Sequence, residues 1–298
     1  MLYGDLDFRY SGGMQSRRFI LKLVCPDRVG IVAAVSGFLA EHKGWIVESQ
    51  NHADPDSKMF FMRQEILAES LVFGAEELRE RFELLASKFG MDFTVSDTAV
   101  LKKVLILVSR QGHCLDDLLY RRRSGEMEFD LRAVVSNHED SRRFVEWHEV
   151  PFHCVPVEAG NREGGFRAMD EVFERYSPDV IVLARFMQIL PAWVCEKYPG
   201  RIINIHHSFL PSFVGGRPYH QAYERGVKYV GATCHYVTSK LDEGPIIEQD
   251  AFRTNHAHTV EELVRAGRDV EKAVLARGLR YHLEDRVLMN GIKTVVFD

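Results

Sequence analysis

Cysteine is scarce in this 298-residue chain: Cys25, Cys114, Cys154, Cys195 and Cys234 are odd in number, scattered, and never spaced Cys-x-x-Cys. That pattern supplies neither a disulfide framework nor a thiolate zinc site, and it fits reduced thiols in a cytoplasmic protein. The histidines lack paired helical spacing, so no metal is expected. No apolar run approaches the ~20 residues of a membrane span, and the N-terminus lacks the apolar centre of a secretory signal. No excess of basic charge is present either. Lys and Arg number 38 against 43 Asp and Glu, a net charge of −5, which gives no reason to expect nucleic acid as a partner. The triplet Arg121–Arg123 reads as a solvated helix face.

What is present is ordinary globular material, 46% hydrophobic and 27% charged, in a length that suits two domains. Residues 1–17 read as a disordered lead-in with a second methionine at Met14. From residue 18 to 99 the pattern is strand, helix, strand, strand, helix, strand. "FILKLV" is followed by a helical "IVAAVSGFLAEHKG" that Gly44 stops. "WIVESQNHA" and "MFFMRQEIL" flank a "DPDS" turn, and "AEELRERFELLASKFG" leads into "MDFTVSD". This is the ferredoxin-like βαββαβ plan.

From residue 103 to 298 strands and helices alternate, and the strands are near-continuous Val/Ile/Leu runs. A mostly parallel, Rossmann-like α/β sheet covered on both faces is the expected fold. A long helix is expected over Thr259–Asn290, interrupted at Gly267 and Gly278, with "KTVVF" as a closing strand. In open α/β sheets ligands gather at the carboxyl ends of strands. "RIINIHH" ends there with Asn204 and His206, two residues apart and therefore on one face, while Ile203 and Ile205 take the other. Asp242 lies in a turn before Gly244-Pro245. Taken singly, His206 reads as a core histidine and Asp242 as a turn former.

The combination changes that reading. Asn204-Ile205-His206, then Leu210-Pro211, then Leu241-Asp242-Glu243-Gly244-Pro245 resembles the signature of the folate-dependent formyltransferase family. The resemblance implies Asn204, His206 and Asp242 as the catalytic centre. It also implies folate contacts from the segment Arg185–Leu190, where Met187, Ile189 and Leu190 form an apolar slot or belong to the core. Gly244 adds backbone groups, Ser136 and Asn137 border the opening for water or a second substrate, and His207 lines the water side; His220 and His235 are equally plausible structural hydrogen-bonders. The N-terminal loop Pro26-Asp27-Arg28-Val29-Gly30 resembles that of ACT domains. That implies a regulatory ligand at Asp27, Arg28, Val29 and Gly30, an amino acid such as glycine or methionine, or else a purely structural module; it also implies a homo-oligomer.

An ACT-like domain ahead of a formyltransferase-like one is similar to the hydrolytic members of the family. They split 10-formyltetrahydrofolate into formate and tetrahydrofolate, with the folate as substrate and no further cofactor, and the formate supplies purine synthesis. In that scheme Asn204 and His206 polarise the formyl carbonyl and Asp242 is the base for water. Glycinamide ribonucleotide formyltransferases carry a Gly-Ser-Asn-Gly-Ser phosphate loop after their first strand. Here that stretch is "SRQGHCLDD", a poor phosphate cradle. Formylation of a transfer RNA would call for a basic C-terminal domain. Ser239-Lys240 departs from the family, where an acid commonly stands between the strand and the Leu-Asp. An ACT-type sensor with an inert second domain is the alternative from another class.

Overall fold

The computed structural model describes residues 16–212 and 218–298. Met14 and most of the expected lead-in lie outside the described residues. Arg17, at its end, pairs with Asp97. The chain divides into two compact units, one ending at Val100 and one spanning Leu101–Asp298.

The first unit runs β1 (Arg18–Pro26), α1 (Ile31–Glu41), β2 (Ile46–Asp54), β3 (Met59–Leu67), α2 (Ala75–Phe89) and β4 (Asp92–Asp97). Its sheet is antiparallel throughout, in the order β2-β3-β1-β4. This is the ferredoxin-like arrangement. Alternation along β1 sends Phe19, Leu21 and Leu23 into a core shared with Ile31, Val35 and Leu39 of α1 and with Leu78 and Phe82 of α2. On β3, Arg63 is 2% exposed and ion-pairs with Glu65 at 2.7 Å and Glu48 at 3.3 Å.

Gly30 begins α1 with φ 97°, a left-handed conformation that an L side chain resists. A Cβ there would touch nothing within 4 Å. Its glycine is therefore required by the backbone turn, not by the close approach of another group. α1 ends at Glu41, three residues before the expected stop at Gly44.

The second unit runs β5 (Lys103–Val108), α3 (His113–Arg123), β6 (Asp130–Ser136), α4 (Arg142–Trp147), β7 (Phe152–Cys154), α5 (Arg162–Tyr176), β8 (Val180–Leu183) and α6 (Ala192–Lys197). It continues through β9 (Ile202–His206), α7 (Pro218–Glu224), β10 (Tyr229–Tyr236), β11 (Ile246–Arg253), α8 (Val260–Leu283), β12 (Val287–Asn290) and β13 (Lys293–Val296). The seven-stranded sheet has the order β11-β10-β9-β8-β5-β6-β7. Strands β5 to β9 are parallel, and β10 and β11 extend the sheet antiparallel. Helices α3 and α8 cover one face with Ile203 and Ile205, and α5 and α6 cover the other with Ile202. Asn204 and His206 therefore share the face of Ile202, as alternation requires.

Helix α8 departs from expectation twice. It is continuous through Gly267 and Gly278, because both glycines serve close packing. A Cβ at Gly267 would come within 2.2 Å of the Tyr219 ring, and one at Gly278 within 2.5 Å of the Cys234 sulfur. It also stops at Leu283 and not at Asn290. Residues Val287–Asn290 pair with Lys293–Val296 as a hairpin, turned by Gly291 at φ 62°. A glycine with positive φ at the first of the two loop residues, Gly291-Ile292, is a hairpin signal, and it overrides the apolar spacing that carried the helix reading onward. No helix among the described residues is long and apolar enough to cross a membrane.

Candidate active site

Strand β9 delivers Asn204 and His206 to its carboxyl end, and the turn joining β10 to β11 brings Asp242 to them. His206 Nδ1 lies 3.4 Å from Asp242 Oδ1, and both side chains are about nine-tenths buried. Asp242 has φ 55°, in the left-handed region where an aspartate is one of the better-tolerated side chains. The turn presses against β10 so closely that a Cβ on Gly244 would sit 1.7 Å from the Tyr236 carbonyl oxygen. Gly244 therefore makes the approach of the Asp242 turn to the strand possible. Burial pushes the Asp242 pKa up, but the bond to His206 and the attraction of that ring hold it below the ordinary carboxylate value. Asp242 is thus a carboxylate at neutral pH.

His235 completes the arrangement. It pairs directly across the β9–β10 ladder from Asn204. Its Nδ1 lies 2.9 Å from the Tyr236 carbonyl oxygen, an acceptor only, so Nδ1 carries the proton. Its Nε2 must then accept, and the Asn204 amide nitrogen, 3.1 Å away, donates. Burial holds the His235 pKa below its usual value, in keeping with a neutral ring. One N–H of Asn204 is thereby fixed on His235, and the second is left for another acceptor. His206 Nε2, on the ring edge away from Asp242, is buried with no hydrogen-bond partner among the described residues. With Nδ1 against the Asp242 carboxylate, Nε2 is a donor in the doubly protonated ring; in that form it and the free Asn204 N–H suit an oxygen on which negative charge develops. Sequence reading left His235 between a lining and a structural role; the cross-strand pairing of the β9 and β10 patterns was the signal that could have decided it.

The remaining candidates are placed differently. Ser136 is fully buried and its hydroxyl accepts from the His138 amide. Asn137 accepts from Ser109, whose oxygen accepts the Met187 amide at 3.0 Å, so Asn137 reaches the segment after β8 through Ser109. On that segment Met187 and Ile189 are 54% and 58% exposed, whereas Leu190 is packed in the core on the α5–α6 face. His207 is 9% exposed, its pKa pushed down to about 3 chiefly by burial and then by Arg185. With Ser208, Phe209, Tyr219 and Val230 it borders a cavity of about 480 Å³. His220 is exposed on α7. In the N-terminal unit Arg28 donates to the Lys88 carbonyl and lies over the Phe89 ring, the Asp27 amide donates to Lys58, and Val29 is fully exposed.

A second group of polar side chains was not foreseen. Glu271 of α8, 1% exposed, accepts from His113 at 2.8 Å and from the Tyr219 hydroxyl at 2.7 Å, and lies 3.4 Å from Arg185. Arg185 also donates to Gln111 at 2.7 Å. The only hint in the sequence is an acidic residue in the otherwise apolar face of α8, one turn after Gly267. His113, Cys114 and Glu271 bring ligand-type atoms within 4.8 Å of one another. The carboxylate is already engaged by three donors, and burial pushes the Cys114 thiol well up, so the trio does not fit a cation.

Comparison with known proteins agrees with this architecture. The formyl transferase family profile matches residues 102–279. A crystal structure of a formyltetrahydrofolate deformylase from Pseudomonas syringae pv. tomato is 55% identical, with a TM-score of 0.95, covering 97% of this chain and 96% of that one. The formyltetrahydrofolate deformylase of Bacillus subtilis is 44% identical over 97% of this chain and 96% of its own length. A glycinamide ribonucleotide transformylase from Symbiobacterium toebii is 30% identical with a TM-score of 0.63, covering 66% of this chain and 95% of that one. The last likeness leaves a third of this chain unmatched, whereas the first two run through both units. This chain belongs to the formyltetrahydrofolate deformylase family.

Proposed function

We propose that this chain hydrolyses 10-formyltetrahydrofolate to formate and tetrahydrofolate in the cytoplasm, the folate being substrate and no further cofactor being used. The observation that carries this reading is the meeting of a carboxylate, an imidazole and a carboxamide at the end of β9, in a member of this family. Asp242, ionised, takes a proton from water as the water oxygen bonds to the formyl carbon. The free N–H of Asn204 and, with the ring doubly protonated, the Nε2–H of His206 face the formyl oxygen and support its negative charge. One such donor is worth ~3 kcal/mol in the transition state. When the C–N10 bond breaks, the proton held by Asp242 passes to N10, and formate leaves.

Met187 and Ile189 offer exposed apolar surface to the pterin, and the turn of Asp242 and Gly244 adds backbone groups. Leu190 holds their segment to the core. The N-terminal unit serves as a regulatory ACT-type domain, with residues Asp27 to Gly30 receiving a small amino acid such as glycine or methionine and the subunits assembling as a homo-oligomer. The formate supplies purine synthesis.

Formate release from 10-formyltetrahydrofolate, with and without Asp242→Asn, tests the reaction. The parent should release formate and the variant should be severely impaired. Formyl transfer to glycinamide ribonucleotide, without formate, would instead establish a transferase. Titration with glycine and methionine tests the regulatory site, and an activity indifferent to every amino acid would remove it.

A further inference from the structure

The seam between β5 and β8 is where the strand order turns back: β6 and β7 lie to one side of β5, β8 and β9 to the other. In open α/β sheets the crevice above such a seam, at the carboxyl ends of the strands, receives a ligand. Here it is filled by the protein itself. Arg185 leaves the end of β8 with φ 63°, unusual for a residue bearing a long side chain. Its guanidinium meets Gln111 from the segment after β5 and Glu271 from α8, and Glu271 is also bonded to His113 and Tyr219. Arg185, His207, Tyr219 and Glu271 are all more than nine-tenths buried. The filling reaches the catalytic histidine: the His207 ring stands 5.3 Å from that of His206, and the Tyr219 ring 6.2 Å beyond His207. One nitrogen of Arg185, Nη1, is buried with no partner among the described residues. A buried donor left unpaired is costly, and water is the small polar molecule that commonly satisfies it.

We propose that this buried network, centred on Arg185 and Glu271, determines the nucleophile: it occupies the side of the site from which an amine would approach and admits only water. The proposal rests on the reading of the site as a 10-formyltetrahydrofolate hydrolase. Hydrolysis and transfer share their chemistry. In each, a lone pair bonds to the formyl carbon, the nucleophile loses a proton to Asp242, the C–N10 bond breaks, and N10 gains a proton. Water yields formate and a primary amine yields a formamide, neither needing any further reactant. The choice between them is therefore made by what can reach the carbon, and Arg185 is a specificity-determining residue without being a catalytic one.

Arg185→Gly is the most informative change, because glycine accepts φ 63° freely and removes the guanidinium. Parent, Arg185→Gly and Glu271→Gln enzymes are incubated with 10-formyltetrahydrofolate and hydroxylamine or glycinamide, and formate and formamide products are both quantified. The ratio of transfer to hydrolysis is independent of the fraction of folded enzyme. It should rise about tenfold or more in Arg185→Gly, in the range that pocket shape alone confers, and less in Glu271→Gln. An unchanged ratio in both variants overturns the proposal, and so does loss of both reactions in both. A parent enzyme that releases no formate would instead refute the hydrolase reading and leave the selectivity question to the transferase it would then be.

Discussion

The His235–Asn204 contact permits a prediction that separates a positioning role from a packing role. His235→Phe keeps an aromatic ring in the buried space but removes the Nε2 acceptor that holds the Asn204 amide at 3.1 Å and the Nδ1 donor to Tyr236. The carboxamide is then free to turn, and in half of its orientations it presents its own oxygen to the substrate oxygen. Complete loss of an oxyanion donor costs ~3 kcal/mol, about 10²-fold in kcat, and this sets the ceiling for the His235 change. We expect kcat for formate release to fall between about 2-fold and 10²-fold, with KM for the folate nearly unchanged. Asn204→Ala should reach the ceiling by itself. Because His235 is argued to act through Asn204, the double variant should be no slower than Asn204→Ala alone. Steady-state formate release by the four enzymes closes the cycle. Multiplying losses in the double variant would show that His235 contributes independently of Asn204 and would refute the reasoning.

Other expectations follow from the same geometry. Asp242 has a depressed pKa, so it stays ionised as pH falls through the usual carboxylate range. An acid limb in kcat/KM above about pH 5 must then belong to another group, and it should persist in the residual activity of Asp242→Asn, which we expect to be lowered about 10²- to 10⁴-fold. The interactions that hold Asp242 ionised add stability above its ordinary pKa, and that stability is lost as pH falls through the lower folded value. Gly267→Ala should lower the Tm although alanine favours helices by ~1 kcal/mol, because its Cβ would meet the Tyr219 ring at 2.2 Å; an unchanged or higher Tm would show that Tyr219 moves aside freely. Arg63→Met leaves the buried Glu65 with Arg18 as its cation and releases the more exposed Glu48, so denaturant unfolding of the N-terminal unit should show a loss of about 1.5–3 kcal/mol. A loss near zero would mean that water reaches those carboxylates.

The two larger sheets could be read from the sequence because their signals are local. The β1 alternation, the "DPDS" turn and the apolar runs of β5, β6 and β8 each specify a strand without reference to the rest of the chain. Asn204 and His206 could be placed on one face from their spacing alone, and Asp242 was drawn to them by its motif. The Arg185–Glu271 network escaped because its members come from four distant segments, and only Glu271, an acid on an apolar helix face, is unusual where it stands. His235 required knowing which residue lies opposite in the neighbouring strand, and a one-residue change in pairing would have sent it to the other face. The helical reading runs past the end of α8 because Val287 and Leu288 continue a helical apolar spacing, while the Gly291-Ile292 turn decides the matter.

Arg185 also joins parts of the molecule that the sequence keeps far apart. Its guanidinium is anchored to Glu271, while two residues later Met187 and then Ile189 turn outward as the exposed apolar surface of the same segment. If that surface receives the folate as proposed, the hold on the substrate is levered from helix α8, far downstream in the chain. Variation along α8, in residues that touch no ligand, is accordingly a route by which affinity for the folate can drift without any change in the residues that face it.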